Sequence, residues 1–429
     1  MRFLGIGDSC DLGALYLRLM AEGHEVRIHI GEKRCQGTLA GMVPRSADWR
    51  ADLGWIRQAG ADGFLLFENV AEQRGALQDG LRRDGFQVIG GSEFGDRLEN
   101  DRAFGQALLA ENGLTITPTF SFDRPEEALA FLDRRPARYV LKFNGGTFGS
   151  SENYVGHHPD GQDIRAVIEA RRAPIAQAGA SFVLAQHVDG VEIGTGAYFN
   201  GERFMEPACL DWEHKRLFPG DLGELTGEMG TIVTYERSSS FFARTLKPLE
   251  PAFRAHGHCG YVNLNTIVDE HGIWPLEFTC RFGYPGFAIL GALQETGWAD
   301  LFQAMSRRAE RLATRTGFAA GIVLTVPPFP YTRKQIDEKI GLPIFIAGGA
   351  DEHFHFGEMG LADGRLVTSG LYGWTMVVTG TGRSIEQARL DALARAERVS
   401  TANLRYRRDI GERVASDVAR LEAWGYLDR

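Results

Sequence analysis

The sequence is poor in the features that mark several large protein classes. Its five cysteines, Cys10, Cys35, Cys209, Cys259 and Cys280, form no CxxC pair and are odd in number. That fits poorly with a disulfide framework as the organising device and predicts reduced, mostly buried thiols. No long apolar run is present and no basic prelude precedes the first strand, so neither a membrane span nor a signal peptide is expected and the expected location is cytoplasmic. Basic charge is scarce: 47 Lys and Arg against 56 Asp and Glu give a formal charge of -9. This argues against a broad nucleic-acid footprint. His157 and His158 stand beside Pro159 and Asp160 with no second cluster at metal spacing, so they read as a surface turn and no zinc is implied. Internal repeats and low-complexity tracts are absent too.

What is present suits a soluble enzyme: 44% hydrophobic and 24% charged residues are ordinary globular values. At 429 residues the chain exceeds one core and should divide into roughly two to four domains. The opening alternates. An apolar strand from Phe3 to Gly7, a helical pattern from Leu12 to Met20, strands from Val26 to Ile30 and Gly63 to Phe67, and then Gln87 to Gly90 predict a parallel, doubly wound βαβ unit. Gly5, Gly7 and Gly13, with Glu32 after the second strand, resemble a dinucleotide fingerprint only loosely. The spacing is not GxGxxG, and Asp8-Ser9-Cys10-Asp11 puts two carboxylates where a pyrophosphate would approach the helix.

Further along, a helix is expected from Asp101 to Asn112, then a boundary between Pro118 and Pro125 with Asp123 capping the next helix. Strands are expected at Tyr139–Phe143, Phe182–Gln186, Glu192–Phe199 and Val262–Val268, an α+β mixture. An Arg-rich stretch, Arg307 to Thr316, precedes a new strand at Gly317–Thr325, and Ile385 to Asn403 has helical periodicity.

The chemistry concentrates in the middle. Tyr261 to Arg281 holds two alternating segments around Asp269-Glu-His-Gly272, which predicts a hairpin. If Asn265 lies opposite Glu277, Asn263 lies opposite Thr279, and all four side chains share one face. Two amides, a carboxylate and a hydroxyl among Val262, Leu264, Leu276 and Phe278 are costly to bury without a ligand, and such oxygens suit Mg²⁺ bridging to nucleotide phosphates. Arg281, two residues past Thr279, could reach a transferring phosphoryl group. Lys142 lies inside an apolar strand that runs into glycines 145, 146 and 149. A buried lysine needs a partner, and such a loop lets backbone N–H groups approach phosphates, although the GxxxxGK[ST] of a Walker loop is missing. Val183 to Glu192, a strand, a polar turn and a carboxylate, could hold adenine through its backbone and ribose through Glu192. Finally, Asp211 to Gly230 reads as a long, charged, glycine-punctuated loop covering substrate.

This ordered set resembles the ATP-grasp ligases, and among them the phosphoribosylamine–glycine ligase family. The resemblance spans nearly the whole chain. It rests on His214-Lys215-Arg216 and Thr226-Gly227-Glu228-Met229-Gly230, on Leu276-Glu-Phe-Thr-Cys-Arg-Phe-Gly-Tyr-Pro285, and on Tyr406-Arg-Arg-Asp-Ile-Gly411. It implies a Rossmann-like βαβ domain over 1–98, a two-lobed ATP-grasp domain over 99–312 and a small C-terminal α+β domain over 313–429. It further implies Arg102, Lys142, Gly145, Gly146 and Gly149 at the phosphates, Gln186 and Val188 at adenine, and Glu192 at ribose. Glu277, Asn265 and Thr279 would face Mg²⁺, and Arg281, Lys215 and Glu277 the reaction. His214, Lys215, Arg216, Thr226, Gly227, Glu228 and Met229 would contact substrate.

The implied activity is amide formation through an acyl phosphate, with ATP and Mg²⁺ as cofactors, small carboxylate and amine substrates, and a monomer or homodimer free of nucleic acid and membrane. Departures from the family pattern are Thr279 in place of a metal-binding Asn, Ser150 in place of a frequent second lysine, and Asp8-Ser9-Cys10-Asp11 in place of Gly-Gly-Arg-Glu-His. The last change predicts an altered substrate, since two carboxylates repel a sugar phosphate. The purine-synthesis enzyme itself and a nucleotide-binding homologue without turnover remain the alternative readings.

Overall fold

A computed structural model describes every residue except 69–73, 145–147, 149–151, 337 and 429. The first sheet contains β1 (Arg2–Gly7), β2 (Glu25–Ile30), β3 (Gly63–Phe67) and β4 (Gln87–Ile89), all parallel, in the order β2-β1-β3-β4. Every residue of β3 is buried, as the unbroken apolar run requires of a parallel strand covered on both faces. Helix α1 (Gly13–Ala21) lays Leu15, Tyr16 and Leu19 on one of those faces. A Cβ at Gly5 would stand 2.3 Å from the Tyr16 ring, so the glycine is what permits that approach.

The second sheet is antiparallel and contains β5 (Thr119–Phe122), β6 (Tyr139–Phe143), β7 (Tyr154–Val155) and β8 (Phe182–Gln186), ordered β5-β8-β6-β7. Helix α2 (Arg102–Glu111) leads into it, capped by Asp101, whose carboxylate accepts the Phe104 N–H at 3.0 Å. The following helix, Pro125–Arg134, corrects one expectation. Pro125 occupies its first turn, so Arg124 stands at the N-cap rather than Asp123, and no side chain caps it.

Eight strands form the third sheet: β9 (Val191–Asn200), β10 (Cys209–Phe218), β11 (Leu222–Thr234), β12 (Cys259–Val268), β13 (Ile273–Thr279), β14 (Phe318–Thr325), β15 (Phe354–Phe356) and β16 (Trp374–Gly382). Their order is β13-β12-β9-β10-β11-β14-β16-β15, antiparallel throughout. The sheet therefore runs unbroken from strands before residue 313 into strands after it. One face buries Tyr198, Val233, Val323 and Val377, and the other Ile193, Trp212, Ile232 and Val378.

Two further expectations change. The stretch from Asp211 to Gly230 is a β-hairpin and not a covering loop: β10 and β11 pair from Leu210↔Thr234 to Phe218↔Leu222. Its alternation is real but written in unlike residues, with Trp212 and His214 buried on one face and Asp211, Glu213 and Lys215 on the other. The helix expected to reach Asn403 ends at Ala396, because Val399 and Ser400 leave it to pair with Ile346 and Phe345. All five cysteines are free, four of them buried. His157 and His158 are exposed and donate their backbone N–H groups to Asp163. Among the described residues no helix is long and apolar enough to cross a membrane.

Candidate active site

The face of the third sheet that buries Tyr198 becomes polar toward Glu192. β9 lies between β12 and β10, and on this face it offers Glu192, Gly194 and Gly196. With no side chains at the two glycines, groups from strands two places apart meet above β9. Asn263 Nδ2 donates to Asp211 Oδ2 at 2.6 Å, and the Tyr261 hydroxyl lies 3.2 Å from Cys209 Sγ. A Cβ at Gly194 would fall 2.2 Å from Asp211 Oδ1, and one at Gly196 1.9 Å from Tyr261 Oη. One rung further, Asn265 Nδ2 donates to Glu192 Oε1 and to Glu213 Oε2, both at 3.2 Å.

Lys215 completes this row. Its ammonium stands 3.1 Å from Glu192, 3.3 Å from Glu213 and 3.2 Å from Glu277. Burial opposes the lysine's charge, but Glu192, Glu213 and Glu277 outweigh it and hold its pKa well above the ordinary value. Lys215 in turn pulls the Glu277 carboxyl down to about 2, with Lys142 and Arg102 assisting. Burial lowers the Lys142 pKa while Glu277 resists. Arg102, Lys142, Lys215, Glu192, Asn265 and Glu277 thus gather in one place. The hairpin register is the expected one, Asn265↔Glu277 and Asn263↔Thr279, so Thr279 lies one rung away from Glu277. Arg281 Nε stands 3.5 Å from Glu99, whose carboxylate also accepts the Cys280 N–H at 2.5 Å.

Other expected residues disperse. His214 is 2% exposed on the opposite face, and its Nε2 accepts the Gly411 N–H at 3.1 Å. Burial first, then Arg413 and Arg407, push its pKa down to about 4, so it is a neutral joint to the C-terminal segment. Met229 packs with Leu217 and Phe329. Arg216 donates to the Gly223 carbonyl near the hairpin tip, where Gly227 is exposed. The Thr226 hydroxyl donates to the Lys215 carbonyl at 2.7 Å. Glu228 does not disperse: it accepts from the Thr231 hydroxyl beside Glu213, and burial, then Glu213 and Asp211, push its carboxyl up. Gln186 is exposed at the end of β8 with its N–H on the Pro118 carbonyl, and Val188 is half-buried. Gly145, Gly146 and Gly149 lie outside the described residues.

The donors suit the metal the sequence implies. Glu277 is a hard oxygen ligand of the kind Mg²⁺ takes, and with Glu192 and Glu213 it surrounds Lys215 Nζ. Among the described residues no three His, Cys, Asp or Glu are set as a metal site.

A second group of residues was missed in the sequence. Glu68 directly follows β3, 3% exposed, and its carboxylate reaches the start of α1. There it accepts the Asp11 N–H at 3.1 Å, the Leu12 N–H at 3.4 Å and the Tyr16 hydroxyl at 3.0 Å. Cys10, in the left-handed region at φ 68°, makes the turn that presents those N–H groups. Burial pushes the Glu68 carboxyl up to about 8, with Asp11 adding to the effect. Asp8 accepts from Arg74 at 2.7 Å, and Ser9 donates to Asp11 at 2.9 Å. Glu358, 5% exposed, likewise sits among the backbone N–H groups of Leu371, Tyr372, Gly373 and Trp374. The available signal for Glu68 was its position, since ligand sites of parallel sheets lie at the carboxyl ends of strands. Glu213 was hidden by reading its strand as a loop.

Comparison with known proteins adds to this geometry. Residues 100–287 match the phosphoribosylglycinamide synthetase ATP-grasp (A) domain. The chain is 25% identical over 373 residues to phosphoribosylamine–glycine ligase of Neisseria meningitidis serogroup B, covering 82% of this chain and 84% of that one. Its fold is similar to that of phosphoribosylamine–glycine ligase from Thermotoga maritima, with a TM-score of 0.71 at 22% identity over 96% of this chain and 100% of the other. It is also similar to biotin carboxylase from Campylobacter jejuni in complex with β-γ-ATP, with a TM-score of 0.63 at 10% identity, covering 99% and 97%.

Proposed function

From the premise that this chain is an ATP-grasp ligase similar to phosphoribosylamine–glycine ligase, we propose that it activates a small carboxylate, such as an amino acid, and joins it to an amine other than phosphoribosylamine. The observation that carries the second half is Glu68. The N-terminus of a helix is a natural phosphate cradle, because its N–H groups are unpaired and the dipole favours an anion. Here the cradle of α1 is filled by the protein's own carboxylate, flanked by Asp8 and Asp11. A phosphate arriving there meets a site already occupied by the Glu68 carboxyl, with the Asp11 carboxyl beside it.

ATP lies against the polar sheet face in this reading. Lys142 and Arg102 hold its phosphates, Gln186 and Val188 the adenine, and Glu192 the ribose. Glu277, with Asn265 and Thr279, would hold Mg²⁺, which when bound would neutralise phosphate charge. A carboxylate oxygen of the substrate attacks the γ-phosphorus and ADP leaves. Arg281 steadies the charge spread over the transferring group. The amine nitrogen then attacks the acyl carbon, inorganic phosphate leaves, and the nitrogen loses its extra proton. No protein nucleophile takes part, and exclusion of water protects the acyl phosphate.

The names of the relatives favour the alternative, phosphoribosylamine as acceptor. ADP release with ATP and Mg²⁺ over a panel of amino acids and amines, with and without phosphoribosylamine generated in place, separates the two. The proposal expects release that does not depend on phosphoribosylamine. A strict requirement for glycine and phosphoribosylamine together overturns it.

A further inference from the structure

Three aromatic rings from two distant stretches of the chain form one stack. Tyr284 and Tyr372 both lie nearly parallel to the Trp374 indole, with centroids 5.2 and 5.0 Å away and planes inclined by 26° and 24°. All three are only half-buried. Rings that fill a core are closed over on every side; these stay partly open, and flat apolar surface left to water costs free energy that a ligand recovers.

The stack is held firmly in place. Ser369 to Trp374 is a turn with Gly370 and Gly373 in the left-handed region, at φ 74° and 91°. The Glu358 carboxylate accepts the N–H groups of Leu371, Tyr372, Gly373 and Trp374 from inside that turn. Tyr284 follows Arg281 by three residues, and its hydroxyl is enclosed against Gly357, where a Cβ would stand 3.1 Å from it. That hydroxyl has no partner among the described residues. A turn fixed from within and an enclosed hydroxyl left unpaired mark a surface shaped for more than its own stability.

The surroundings set the chemistry. Burial first and then Asp11 push the Tyr372 hydroxyl up to about 12, with Cys35, Glu358 and Glu32 adding to the effect. Burial, then Glu358, Asp11 and Glu228, push the Tyr284 hydroxyl up as well. The cations of this region are already engaged: Lys334 with Glu32 at 2.8 Å, Arg333 with the Gly370 carbonyl at 3.3 Å, and Arg281 with Glu99 at 3.5 Å. The rings face acids.

We propose that Tyr372, Trp374 and Tyr284 form the acceptor platform of this ligase, and that the acceptor is an amine carried on a planar aromatic ring without a phosphate. The inference rests on the ligase reading given above and names the class of its acceptor. The ring of the acceptor lies on the tyrosine and indole faces, and its nitrogen is drawn toward Asp11. Arg281, three residues before Tyr284, sets the phosphoryl transfer close by.

The test is a saturation-transfer NMR titration of the full chain with Mg²⁺ and a non-hydrolysable ATP analogue present. Benzylamine and cyclohexylmethylamine share a charge and a skeleton, and only the first is flat and aromatic. Wild type should bind benzylamine at least ~5-fold more tightly than its saturated counterpart, and Tyr372→Leu should lose that preference. Circular dichroism checks the fold, and Trp374→Leu carries the comparison should the first variant not fold. Equal affinities for the two amines in wild type, binding of neither, or a preference that survives in the folded variant overturns the proposal. Ribose 5-phosphate, a stable probe for the phosphoribosyl group, separates the two readings. If it binds more tightly than either amine and displaces them, the acceptor reading under the proposed function falls as well; if it does not bind and the aromatic preference is missing, only the platform falls.

Discussion

Two sets of carboxylates in this protein, one half-buried to exposed and one buried, are neutralised in opposite ways. On the β9, β10, β12 and β13 face, Glu192, Glu213 and Glu277 share one ammonium, that of Lys215. At the start of α1, Glu68 is held by backbone N–H groups and a tyrosine hydroxyl, and Glu358 sits in a nest of four successive backbone N–H donors. The same functional group thus has two uses. In the first set the partner is a side-chain cation, so the acids keep their charge. In the second the partner is the backbone itself, so the acid closes a cradle that an anionic ligand would use. The titration behaviour follows: Lys215 pulls Glu277 down to about 2, whereas burial lifts Glu68 to about 8.

The sharpest way to break this contrast is at Glu277. Glu277→Gln removes the charge that faces Lys215, Lys142 and Arg102, and ADP release should fall ~100-fold or more while the circular dichroism spectrum stays unchanged. Near-normal turnover would remove Glu277 from the metal and phosphate set.

A pH scan of thermal unfolding examines the other carboxylate. The folded-state pKa of Glu68, about 8, lies above its ordinary value of 4.5. Folding therefore favours the protonated form; its stabilising effect is complete below about pH 4.5 and is lost as the pH rises through about 8. Wild type should lose stability across that window, and Glu68→Gln, which cannot ionise, should lose less, by roughly a few kcal/mol. Parallel curves for the two proteins would mean that Glu68 titrates normally.

Gly196→Ala tests whether the glycines of β9 are what lets the polar rungs form. The new methyl would lie 1.9 Å from Tyr261 Oη. The expected cost is about 1 to 3 kcal/mol in denaturant unfolding, together with weaker nucleotide binding. An unchanged midpoint would show that Tyr261 moves aside freely.

The smallest effect comes from emptying the cradle. Glu68→Ala leaves the Asp11 and Leu12 N–H groups without their acceptor, so inorganic phosphate should stabilise the variant by about 1 kcal/mol at low ionic strength and leave wild type unaffected. Phosphate stabilising both proteins equally would mean that Glu68 does not close that helix end.

Parts of this arrangement could be read before any fold was known. The pairing Asn265↔Glu277 was supposed from the polar residues on the two strands; the turn alone would set Asn265 opposite Leu276, and an irregularity between Asn265 and Thr266 shifts the register to Glu277. The parallel opening followed from apolar runs such as Gly63–Phe67, buried along their whole length. Lys142 was recognised as a charge inside an apolar strand. The β10–β11 hairpin was not recognised, since a strand with glutamate, histidine, lysine and arginine in succession shows no apolar alternation. His214 was grouped with Lys215, its neighbour in the chain, yet strand geometry sends adjacent side chains to opposite faces. Only Lys215 reaches the acids.

The sequence by itself determined the secondary elements with a clear apolar period, the hairpin of β12 and β13, and the kinds of oxygen and nitrogen groups a nucleotide site needs. Tertiary structure alone decided how those groups are paired. Lys215 meets Glu277 across 62 positions, Asn265 meets Glu192 across 73, and Glu68 reaches the Leu12 N–H across 56. Such pairings depend on strand order and on the gap left above Gly194 and Gly196, and no local pattern of residues encodes either.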